Sequence, residues 1–221
     1  MPAFYQRFQE SARKFPDNVA LEIQRQQTVE RVTFAELTRM SESVANWLST
    51  RVPRDARTAI LAANHPRWVA AYLGIIAAGR TAVPLDTAFH ADQVKKLLID
   101  SGASLLLCDV KHLPVAMEAV EGLNVGLVMT SAAAERSSIP TKVSDPNLAA
   151  DLDSIFAAGP GDFQPLVPAE SDLAALLYTS GTTADPKGVM LTHANLVGDD
   201  AATFTLRCQI PGVVEIRRRT R

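Results

Sequence analysis

Apolar positions along the chain recur at helical spacing from Phe4 to Phe15, and Pro16 closes that segment. VALEIQ (19–24) and TVERVTF (28–34) then alternate apolar and polar residues about a Gln-rich turn, which predicts a short hairpin. Thr33, with Glu36 three residues on, has the signature of a capping box. Leu37, Val44, Trp47 and Leu48 share one face of the helix that follows, as far as about Thr50. From there strands and helices alternate. TAILAA (58–63) reads as a buried strand, and a helix from about Pro66 to Ala78 carries proline in its first turn and stops at Gly79. TAVPLD (81–86) is a short strand, a helix covers about Ala91 to Ser101, and SLLLCD (104–109) is the next strand. A helix over roughly 112–121 leads into the strand VGLVMT (125–130).

Residues 131–146 are polar and aperiodic and read as a surface loop, followed by a weakly patterned helix over 147–157 and the Gly/Pro-rich loop AGPGDFQPLVP. LAALLY (173–178) is again a strand, then come a short strand over 188–192 and a helix from about His193 to Leu206. Strands alternating with helices of this length predict an α/β fold: a mostly parallel sheet flanked by helices.

The 221 residues are 47% hydrophobic, enough for the core of one large domain or two small ones. A formal net charge of −2 gives no electrostatic reason to expect nucleic acid or an anionic membrane as partner. The two cysteines, Cys108 and Cys208, lie far apart without CxxC spacing, which argues for a reducing compartment and against a disulfide scaffold or structural zinc. The N-terminus lacks a basic stretch followed by an apolar one. The most apolar window, Trp68 to Gly79, is shorter than the roughly 20 residues that span a bilayer. These features together predict a cytoplasmic protein with no transmembrane segment.

The chemistry concentrates in YTSGTTADPKG (178–188), between two apolar strands. Phosphate chains are bound by converging backbone N–H groups, hydroxyls and a cation. Thr179, Ser180, Thr182 and Thr183 supply hydroxyls, Gly181 and Gly188 let the backbone come close, and Pro186 shapes the return toward Lys187. The order differs from the Walker loop, in which the lysine follows the second glycine and a helix begins. Here the lysine precedes Gly188 and a strand follows, so hydroxyls take the place of a helix N-terminus. A solvated Ser/Thr-rich hairpin loop is the plain alternative.

TSGTTADPKG resembles the phosphate-binding motif of the acyl-adenylate-forming (AMP-binding) superfamily, which comprises acyl-CoA synthetases, nonribosomal peptide synthetase adenylation domains and luciferases. FPDNVAL (15–21), TFAELTRMSESVANWL (33–48), ILAANHPRWVAAYLGIIAAGRTAVPLD (60–86) and VMLTHANL (189–196) resemble other family segments in the same order, so the likeness covers about residues 4–206. The family has glycine where this chain has Ala184, whose methyl disfavours positive φ at the loop tip.

The resemblance implies a two-step reaction. A carboxylate attacks the α-phosphorus of ATP, releasing pyrophosphate, and the acyl group of the adenylate then passes to the thiol of coenzyme A. It implies that Thr179, Ser180, Gly181, Thr182, Thr183, Lys187 and Gly188 hold the departing phosphates with Mg²⁺, and it assigns no catalytic residue. The substrate class implied is a carboxylic acid, a fatty acid above all. The alternatives are an amino-acid-activating adenylation domain and a non-catalytic nucleotide-binding module.

Other candidates read as structural. His193 sits between Thr192 and Asn195, which form a helix N-cap and first turn. Asn64 and Asp86 suit strand-end turns, Asp199 and Asp200 a solvated face, and Trp47 and Trp68 packing. The resemblance further implies that residues 1–207 are part of a larger N-terminal domain whose adenine, ribose and acyl sites lie elsewhere. Residues 208–221, with Arg217, Arg218, Arg219 and Arg221, read as an atypical basic tail of a truncated or frameshifted product. A partial sheet exposes an edge through which a second copy can pair.

Overall fold

The computed structural model describes residues 3–25, 28–132, 148–178 and 187–197. Helix α1 (Phe4–Lys14) precedes the antiparallel hairpin β1 (Val19–Arg25) and β2 (Thr28–Thr33). Helix α2 (Phe34–Arg51) begins at the expected capping box: Thr33 Oγ1 accepts from the Glu36 N–H at 3.2 Å, and the Glu36 carboxylate accepts from the Thr33 N–H at 2.8 Å.

The main sheet is built from β3 (Arg57–Leu61), β4 (Thr81–Pro84), β5 (Ala103–Cys108), β6 (Gly126–Met129), β7 (Leu148–Asp151), β8 (Leu173–Tyr178) and β9 (Gly188–Thr192), in the order β7-β6-β5-β3-β4-β8-β9. All neighbours are parallel except β8 and β9. The connecting helices are α3 (Pro66–Ala77), α4 (Ala91–Ser101), α5 (Leu113–Val120) and α6 (Leu152–Ala158), with α7 (His193–Val197) after β9.

Strand residues alternate between two cores. Ile60, Leu105 and Leu107 join α2, α3 and α6 on one face, while Ala59, Leu61 and Leu106 join α4 and α5 on the other. The expected α/β sandwich is therefore present, with both faces of the parallel sheet covered. Arg80 is buried at the end of the α3–β4 turn, where its guanidinium donates to the Ala78, Leu48 and Val52 carbonyls and satisfies the last turns of α2 and α3. Cys108 is a buried free thiol whose pKa is pushed up to about 12, first by burial and then by Asp109.

One expectation fails. The helix read over 147–157 is divided: residues 148–151 form β7, an edge strand registered Val128↔Ala150 and Met129↔Asp151, and the helix starts only at Leu152. LAAD is short and alanine-rich, so local propensity favours helix, and pairing with β6 overrides it. Asp151 marks the change by capping α6 through the Ser154 N–H at 2.9 Å. Most of the loop expected over 131–146, the rest of the helix expected to reach Leu206, and Ala184, Asp199, Asp200 and Cys208 lie outside the described residues.

Candidate phosphate-binding site

β8 and β9 are the predicted pair of flanking strands, running antiparallel. Their ladder runs Ala175↔Leu191, Leu176↔Met190, Leu177↔Val189 and ends at Tyr178↔Gly188. Residues 179–187 are thus framed by two antiparallel strands, as the order of lysine and glycine predicted, with no helix starting at Gly188. Thr179, Ser180, Gly181, Thr182 and Thr183 lie outside the described residues. Lys187 is described and exposed, immediately before the first residue of β9.

Gly188 packs closely against the side chains of Leu176 and Tyr178. A Cβ there would lie 2.8 Å from Leu176 Cδ1 and 3.2 Å from Tyr178 Cε1. The Tyr178 hydroxyl donates to Asp100 Oδ2 at 2.6 Å, near the C-terminus of α4. Burial, reinforced by the Asp100 carboxylate, raises the phenol above its ordinary pKa and keeps it protonated. Asp100 stands on a fixed turn: the Arg57 guanidinium donates to the Ser101 carbonyl at 2.5 Å, and Gly102 ends α4 in the left-handed conformation at φ 63°. Among the described residues β9 is exposed on its outer side, Val189 at 47% and Met190 at 67%.

The far end of β9 passes into α7 through a reciprocal cap, Thr192 Oγ1 accepting from the Asn195 N–H and Asn195 Oδ1 from the Thr192 N–H. His193 is buried, its N–H donates to the Asp172 carbonyl, and its Nδ1 has no hydrogen-bond partner among the described residues. Burial lowers its pKa, with Asp172 opposing. His193 thus lies buried at the start of α7, next to the cap that Thr192 and Asn195 form as expected.

Sequence reasoning missed a cleft of about 300 Å³ at the carboxyl ends of β3, β5 and β6, lined by Asn64, Trp68, Asp109, Lys111, Thr130 and Ser131. It opens where chain leaving β3 enters α3 on one face and chain leaving β5 enters α5 on the other, the place where open α/β sheets form crevices. Its charged groups are largely engaged with the wall. Asp109 accepts from the Ala63 N–H and the His112 N–H and ring, and Arg67 pairs with Asp153 and donates to the Thr130 carbonyl. An aspartate directly after a buried strand was the available signal. Trp68 stacks on Tyr72 at 5.4 Å and Trp47 lies under Arg51, so both tryptophans pack as expected, Trp68 also walling the cleft. Asp86 makes the expected turn contact, accepting from the Ala88 N–H at 2.9 Å. Among the described residues no three His, Cys, Asp or Glu side chains are grouped to hold a metal, and no helix is long and apolar enough to cross a membrane.

The described residues form an α/β domain, a mostly parallel sheet with an antiparallel pair, β8 and β9, at one side. The chain belongs to the AMP-binding enzyme family, whose model matches residues 8–212. It is 34% identical to tyrocidine synthase 3 of Brevibacillus parabrevis over 87% of this chain and 3% of that protein. It is 33% identical to feruloyl-CoA synthase of an Amycolatopsis species over 75% of this chain and 29% of that protein. Among solved structures, the acyl-CoA synthetase of Brucella canis superposes with a TM-score of 0.68 at 29% identity, covering 80% of this chain and 31% of that one. The chain thus spans less than a third of the length of each of these relatives.

Proposed function

We propose that this chain carries the phosphate-gripping part of an AMP-forming acid–thiol ligase. In this reading a carboxylic acid attacks ATP to give an acyl-adenylate and pyrophosphate, and coenzyme A then takes the acyl group. The observation that carries it is the β8–β9 hairpin, which sets Lys187 exposed at the root of the hydroxyl-rich stretch, in a chain of the AMP-binding family. Lys187 supplies a point charge, and Thr179, Ser180, Thr182 and Thr183 supply hydroxyl donors to the same phosphates. This donor set suits a polyphosphate that arrives with its own Mg²⁺, because the grip needs no carboxylate cluster of its own. Positioning and charge neutralisation at the leaving pyrophosphate are the chemistry assigned to these residues.

A fatty acid is the first substrate to try, and the likeness to feruloyl-CoA synthase adds hydroxycinnamic acids. A second reading, an amino-acid-activating adenylation domain, is favoured by the 34% identity to tyrocidine synthase 3. In either reading the protein works in the cytoplasm, residues 1–207 form part of the adenylating domain, and residues 208–221 are an atypical basic tail. The bare edge of β9 is where a second copy pairs.

Carboxylate-dependent ATP–pyrophosphate exchange tests the proposal. Residues 1–221 alone are expected to give no exchange. The same residues fused to the downstream part of an acyl-CoA synthetase are expected to give exchange with fatty or hydroxycinnamic acids. Exchange driven by amino acids selects the second reading. A fusion that binds ATP but exchanges with no acid refutes both.

A further inference from the structure

Of the described residues at the loop root, Lys187 is the cation, yet little holds it in place. It stands outside the ladder, β9 is the outermost strand among the described residues, and Val189 and Met190 are exposed. The next residue, Gly188, is the last ladder partner, and the ring of Tyr178 lies over it where a side chain would otherwise stand. That ring is fixed at its far end by the 2.6 Å bond from its hydroxyl to Asp100. Asp100 is itself tied to the parallel core through the Arg57 bond to Ser101 and through the Gly102 cap.

The geometry points to Tyr178 as a positioning residue for Lys187: its hydroxyl, clamped by Asp100, presses the ring onto Gly188 and so fixes where the lysine leaves the sheet. This rests on the proposed phosphate grip and adds to it a residue that does not touch phosphate. A hydrogen bond to a carboxylate is among the stronger ones available to a side chain, and its loss leaves the ring over Gly188 held only by its packing against the core beneath the sheet. Hairpin pairing survives, because the ladder from Leu173 to Tyr178 is made by backbone. The expected loss is therefore in ligand affinity and not in folding.

The test is a double-mutant cycle on the 221-residue chain, with Mg²⁺–pyrophosphate as the titrated probe and thermal melting as the control. Tyr178→Phe, which removes only the hydroxyl, is expected to weaken binding about five- to tenfold, as misplacement of a binding group does. Asp100→Asn is expected to act in the same direction. In the Lys187→Ala background Tyr178→Phe is expected to change nothing further, which a merely structural role would not produce. The inference is overturned by wild-type affinity in Tyr178→Phe, or by equal losses in both backgrounds. Absence of binding by the unmutated chain would overturn the phosphate grip and this inference together, whereas the first two results leave the grip standing.

Discussion

Gly74 lies in the middle of α3, fully enclosed against α2, and a Cβ built there would meet the Ser41 carbonyl oxygen at 2.6 Å, Val44 Cβ at 2.7 Å and Val44 Cγ1 at 2.8 Å. Gly74→Ala is the perturbation. Non-bonded carbons rest about 3.5–4.0 Å apart, so α3 must withdraw from α2 by roughly 1 Å to admit the methyl. The obstructing atoms are a backbone carbonyl and a β-carbon, neither of which turns aside by changing rotamer. Alanine is better than glycine in a helix by about 1 kcal/mol, so propensity alone predicts stabilisation. Overpacking costs about 1–3 kcal/mol and here falls at the upper end, leaving a net loss of about 2 kcal/mol. For a chain of this size that lowers the melting temperature by about 4–8 °C. Calorimetric melting of wild type and variant measures it. Gly102→Ala separates backbone from steric cost, since that position meets no atom within 4 Å but sits at φ +63°, and a loss of about 1 kcal/mol is expected there. A Gly74→Ala protein that melts at or above the wild-type temperature refutes the reasoning.

Two pH predictions follow from single side chains. The carboxyl of Glu36 is held below its ordinary pKa, first by the Thr33 backbone N–H and then by its hydroxyl, so its capping contribution is present above the unfolded carboxylate value and lost as pH falls through the folded one. Wild type should show a slightly higher urea midpoint than Glu36→Gln at neutral pH, the difference being kept small by solvent screening at this exposed site, and the two should converge in acid. His193 has its pKa lowered by burial, so protonation favours the unfolded chain. Stability should fall as pH drops from about 7.5 toward 5, and His193→Leu should show a shallower fall over that window; parallel curves would contradict the assignment.

Much of the fold was legible because its signals were local. Thr33 with Glu36 and Pro66 with Gly79 each mark an end that the structure keeps within a residue or two. β7 was not legible, because LAAD becomes a strand only by pairing with β6, and nothing within the four residues encodes the neighbour. At the candidate site, hydroxyls, lysine and flanking strands could be read from residue order alone, including the choice of a hairpin over a Walker turn. Asp100 could not: it lies 78 residues from Tyr178, on a helix whose path across the sheet joins them only after folding. The β3–β5 cleft was likewise invisible, since it depends on the two strands sending their connections to opposite faces.

The central claim is that the β8–β9 hairpin grips phosphate through Lys187. Calorimetric titration of the 221-residue chain with Mg²⁺–pyrophosphate, wild type against Lys187→Ala, tests it most directly. Saturable binding by wild type and a loss of about tenfold or more in the variant are expected, the charge being the strongest single donor at the root. Equal affinity in the two proteins would contradict it.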